Sequence, residues 1–90
     1  MNIRKIKLAL SVGLMNQEAG NAVNKIERMM DNFREDVGDL IGRRELGKSN
    51  LNRSHVQQTY ALQFERCTLK VDLVSNLATN TQVVNTFSFS

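Results

Sequence analysis

The 90-residue chain has no proline, no tryptophan, one cysteine and one histidine. Cys67 alone excludes an internal disulfide framework, and His55 alone leaves a metal site without a cluster of ligands. With no tryptophan, one tyrosine and four phenylalanines, a core has to be built mostly from Leu, Val, Ile, Met and Ala, the residues of helix packing. A domain of this length buries only about 60 to 65 % of the surface its unfolded chain exposes, so a monomer is marginal unless something else covers it. Without proline, punctuation falls to glycine, at Gly38, Gly42 and Gly47.

Charge is scarce in a different sense, because the formal +3 is concentrated. Arg4, Lys5 and Lys7 make the first segment basic, and Arg43, Arg44, Lys48 and Arg53 against Glu45 make the middle basic. Between them, Lys25, Arg28 and Arg34 are outweighed by Glu18, Glu27, Asp31, Glu35, Asp36 and Asp39. Basic ends flanking an acidic stretch attract nucleic acid or anionic lipid. Neither basic cluster contains an aromatic residue, however, which removes the stacking platform of single-strand binders. The expectation is no nucleic acid.

Catalytic constellations are missing as well. Nucleophilic catalysis needs Cys67 or a serine beside His55, with a third group to orient the base. On one helix Cys67 and His55 are about 18 Å apart along the axis and do not pair. Cys67 reads as a small apolar filler and His55 as a solvated residue. Glu35, Asp36 and Asp39 sit beside Arg34 on the wet face of a charged segment, and the glycines match no phosphate-binding spacing. We expect no enzyme, no cofactor, no metal and no small-molecule substrate.

What is abundant is apolar periodicity. From residue 16 to 41 the apolar positions Ala19, Val23, Ile26, Met30, Phe33, Val37 and Leu40 recur at alternating spacings of four and three. This predicts helix 1 over 16–41, with Val23, Ile26, Met30, Phe33, Val37 and Leu40 as the seam of a hairpin. Residues 42–50 then read as a polar loop, the glycines offering left-handed helix ends. Ser54-His55-Val56-Gln57 fits a capping box, so helix 2 is expected over 51–86.

At about 100° per residue, Leu69, Leu73, Leu77 and Val84 cover one sector of helix 2, and Cys67, Val71, Val74 and Ala78 cover the next. Together they span roughly 200°, too wide for one partner helix, and an exposed apolar stripe marks an interface. Leu69 to Leu73 and Thr86 to Ser90 also alternate in the manner of strands. The first is short against the helical spacing around it, whereas the last five residues read as an extended or strand-like tail. The fold expected is all-α, one domain over 1–90: a two-helix hairpin that assembles into a helical oligomer.

Residues 1–15 pose a separate choice. MNIRKIK followed by LALSVGLM has the basic start and short apolar run of a secretory signal, yet the run contains Gly13 and the small residues after it make poor cleavage sites. The alternative is an amphipathic or mobile N-terminus.

The C-terminal third, through Tyr60-Ala61-Leu62-Gln63-Phe64, the run Leu69 to Ala78, and Thr81, Val83, Val84 and Thr86-Phe87, resembles the inner-rod subunits of type III secretion systems. Val84-Asn85-Thr86-Phe87-Ser88 stands where that family has Val-x-Thr-Leu-Leu. The resemblance implies a structural subunit of the bacterial cell envelope, exported without signal-peptide cleavage, forming a homo-oligomer that links needle subunit and export-gate membrane proteins. It places Phe64, Leu69, Val71, Leu73, Val74, Leu77, Ala78, Val83, Val84 and Phe87 at subunit interfaces. The alternatives are a small helical adaptor or chaperone bound to one partner, and a processed periplasmic helical protein.

Overall fold

In the computed structural model, which describes residues 3–13, the backbone of 18 and 19, and residues 22–90, the C-terminal half is sheet rather than helix. Helix α1 (Ile3–Gly13) is followed by a two-residue strand β1 (Glu18–Ala19) and helix α2 (Ala22–Met30). A 3₁₀ turn, Asp31–Phe33, leads into the single turn α3 (Arg34–Val37). Four strands complete the chain: β2 (Leu40–Asn50), β3 (His55–Phe64), β4 (Thr68–Asn76) and β5 (Thr81–Phe89). They form an antiparallel meander, with β1 added to the far side of β5 in the order β1-β5-β4-β3-β2.

The all-α hairpin is therefore corrected. Helix 2 over 51–86 is replaced by β3, β4 and β5, and the loop over 42–50 is most of β2. Helix 1 over 16–41 shrinks to α2, the 3₁₀ turn and α3, with its ends in β1 and the start of β2, while residues 16, 17, 20 and 21 of that region lie outside those described. The reason lies in the side chains of β4. Leu69, Val71, Leu73 and Ser75 are buried, while Lys70 is exposed and Asp72, Val74 and Asn76 are half-buried, which is a strand's period of two. Cross-strand neighbours continue the dry face, with Leu62 opposite Leu69, Tyr60 opposite Val71, and Phe89, Phe87 and Val84 opposite Leu69, Val71 and Leu73.

The turns explain where the presumed helix breaks. Asn52 Oδ1 accepts the N–H groups of Ser54 and His55, at 2.9 and 3.0 Å. This side-chain turn uses the residues that the capping-box reading assigned to a helix start. Asn76 Oδ1 accepts the N–H of Ala78 at 3.0 Å, and Asn80 takes the left-handed conformation at φ 54°. Asparagine tolerates that region, so the β4–β5 hairpin closes there.

The helices cover one face of the sheet. Val23, Ile26 and Met30 of α2, Val37 of α3, and Ile6 and Leu10 of α1 meet Leu62, Phe64, Cys67, Leu69, Val71 and Leu73 in one cluster. Val23, Ile26 and Met30, which fall on the three-and-four spacing, form the buried face of α2, and its partner is a sheet and not a second helix. Phe33 is only half-buried, and Leu40, the last seam position, is exposed on β2. Each fully buried Leu or Ile in this layer contributes about 1.5–3 kcal/mol.

Candidate functional site

Polar or reactive side chains gather at several places on the sheet. The first is the pair singled out in the sequence. His55 opens β3, its Nδ1 3.0 Å from both Ser54 Oγ and Asn52 Oδ1. Cys67 is buried in the turn after the other end of that strand, where burial pushes its thiol pKa up. The ten-residue strand between them spans about 30 Å, so they do not meet. Among the described residues no group of three or more His, Cys, Asp or Glu is placed to hold a metal ion.

The second place is a row of amides and hydroxyls on the helix side of the sheet. Gln82 Nε2 on β5 donates to Ser75 Oγ on β4 at 3.0 Å, and Ser75 Oγ donates to Gln58 Oε1 on β3 at 3.0 Å. Gln58 Nε2 then donates to Glu45 Oε2 on β2 and to Tyr60 Oη, both at 3.1 Å. At the other end, Gln82 Oε1 accepts the backbone N–H of Ala22, the first residue of α2. The row borders a cleft of about 370 Å³ lined by Lys48, Asn50, Val56, Leu77 and Asn80 beside the network residues. No buried side-chain nitrogen or oxygen among the described residues lacks a partner. The row is thus spent on tying α2 to four strands.

The third place is β2. All eleven of its residues are exposed, and among the described residues it pairs on one side only, with β3. Two irregularities in register, one between Leu40 and Gly42 and one between Glu45 and Gly47, make Ile41 and Leu46 the extra residues of two bulges. The sequence repeats itself there, as Ile41-Gly42-Arg43 and Leu46-Gly47-Lys48. Ile41 is 62 % and Leu46 46 % exposed. Beside them lies a shallow depression lined by Gly42, Arg43, Arg44, Leu46, Ala61, Gln63 and Thr68. Arg43 reaches toward α2, Nη1 donating to Asn24 Oδ1 at 3.0 Å and lying 3.6 Å from Glu27 Oε2.

No protein family, curated protein or solved structure matches this chain.

The positions assigned to subunit interfaces divide into three groups. Phe64, Leu69, Val71 and Leu73 lie in the chain's own core, and Val84 and Phe87 pack against it. Val74 and Val83 pair with each other on the uncovered face. Leu77 and Ala78 are exposed in the hairpin turn. The β2 edge went unnoticed in the sequence because glycine and charge dominate it and no alternation survives two bulges. The repeated apolar-Gly-basic triplet is the signal that could have revealed it. Among the described residues no helix is long and apolar enough to cross a membrane.

Proposed function

We propose that this chain is a non-catalytic protein-binding domain that takes up an extended, acidic segment along the free edge of β2. The observation that carries the reading is an eleven-residue strand, every residue exposed, with Arg43, Arg44 and Lys48 against Glu45 within the strand, Arg43 also facing Glu27 of α2. A strand with one bare edge offers main-chain donors and acceptors to an added strand. Its excess of positive charge opposes pairing with a second copy and favours a segment of opposite sign. Ile41 and Leu46 supply apolar contact beside that edge, and the Gly42 and Ala61 floor leaves room for the incoming side chains.

The rod-subunit reading depended on a helical C-terminal third. Its carrying residues lie in β3, β4, the β4–β5 turn and β5, so it is not carried into this proposal.

Titrating the labelled protein with a peptide of alternating Val and Glu, long enough to span β2, should shift and protect the amides of Leu40 to Asn50. Affinity should fall with added salt and with Arg43→Glu combined with Arg44→Glu. Shifts confined to β5, or a dimer that forms through β2 without peptide, would assign the edge to another role.

A further inference from the structure

We propose that the outward face of α1 docks on an anionic lipid surface. Ile6 and Leu10 are fully buried, and they define the inward direction of this helix. At about 100° per residue, Leu8 points directly away from the core, with Arg4 and Val12 about 40° to either side of it. Lys5 and Ser11 follow at about 60°, and Lys7 stands at the margin. The outward face of a helix packed on a core is ordinarily polar. Here Leu8 is 66 % and Val12 63 % exposed, one turn apart and adjacent on the surface.

Charge identifies the occupant. The segment from Ile3 to Gly13 carries Arg4, Lys5 and Lys7 and no acidic residue, whereas in the helical layer that follows Glu27, Asp31, Glu35 and Asp36 offset Lys25, Arg28 and Arg34. Two apolar side chains on an exposed helix face, with Arg4 and Lys7 on the N-terminal side of Leu8, form no groove for a protein segment. They match the boundary between phosphate headgroups and acyl chains, where Leu8 and Val12 enter and the cations meet lipid phosphate. The contact is peripheral, because the broader apolar face of α1 is already used in the core.

The test is co-sedimentation of the full chain with vesicles of phosphatidylserine in phosphatidylcholine, against pure phosphatidylcholine. Each cation near such a surface is worth about fivefold in partitioning, so the anionic vesicles should bind at least about tenfold more protein. Arg4→Gln with Lys7→Gln should lower that binding about twentyfold, and Leu8→Ser with Val12→Ser about tenfold, while the circular dichroism spectrum stays unchanged. Equal partitioning onto both vesicle types, or onto neither, overturns the proposal. Binding of duplex DNA by the same cations with no binding of anionic vesicles overturns it too, in favour of nucleic acid.

Discussion

Asp39 and Glu65 hold each other across the corner where α3 gives way to the sheet. The Asp39 N–H donates to Glu65 Oε1 at 2.7 Å, and the Glu65 N–H donates to the Asp39 carbonyl at 3.1 Å. Arg66 extends the clasp, its N–H donating to the Val37 carbonyl at 3.0 Å and its Nη1 to the Glu35 carbonyl at 2.9 Å. The β3–β4 turn therefore anchors the end of the helical layer.

Gly38 is what makes that clasp close. Its φ of 84° and ψ of −167° lie in a region open to glycine alone, and a Cβ there would stand 2.6 Å from Glu65 Cβ. Gly38→Ala should cost about 2 kcal/mol or more, read as a lowered urea midpoint with unchanged slope. Gly42 has a negative φ and nothing within 4 Å of an added Cβ, so Gly42→Ala should stay within about 0.5 kcal/mol of the parent. Equal effects at the two glycines would refute this account of the corner.

Helix α1 separates its two leucines sharply. Leu10 is fully buried in the cluster with Ile26 and Leu73, so Leu10→Ala should destabilise by about 2–5 kcal/mol. Leu8→Ala should change stability by no more than about 0.5 kcal/mol, since its side chain faces solvent. Thermal unfolding of the two variants decides whether the basic first segment is part of the core. If Leu10→Ala were silent, α1 would not belong to the fold.

How far the fold was legible depends on one ambiguity of spacing. Residues four apart share a face on a helix and also on a strand, so Leu69, Leu73 and Leu77 decide nothing. The positions that discriminate are two and three onward. Val71 is apolar and Asp72 polar, which is a strand's pattern, and the β-branched Val71, Val74, Val83 and Val84 favour the same reading. In α2 the test goes the other way, because Ile26 lies three after Val23 while Lys25, two after it, is charged. The spacing within α2 therefore separates helix from strand. What escaped was the partner, since an apolar stripe does not say whether a sheet or a helix will cover it.

Gln82 caps α2 from a distant strand, through its side-chain oxygen on the Ala22 N–H, while its nitrogen holds Ser75. A helix start leaves its first N–H groups without partners inside the helix, and the side-chain acceptor that usually supplies one comes from the residue just before. Gln82→Ala should cost about 1–2 kcal/mol, and hydrogen exchange should speed up at the start of α2 more than in β3. Ser75→Ala breaks the row one link further along and should leave the Ala22 amide protected. Matching exchange at Ala22 in both variants would show that the oxygen of Gln82 does not hold that amide.

Alkaline pH should weaken the fold through Cys67 and Tyr60. Burial raises the Cys67 thiol pKa; burial, and secondarily a hydrogen bond to Glu45, raises that of the Tyr60 phenol. Both groups are neutral when protonated, and the folded chain keeps both protons to a higher pH than the unfolded chain does. The unfolded state then binds fewer protons, so stability falls as pH rises, first past the ordinary thiol value near about 8.5 and then past the phenol value near about 10. Urea midpoints should be level up to neutral pH and decline above it. Cys67→Ala should flatten the first part of the decline, and Tyr60→Phe the second. A midpoint that rises toward pH 10 would mean that neither group is held in its neutral form by the fold.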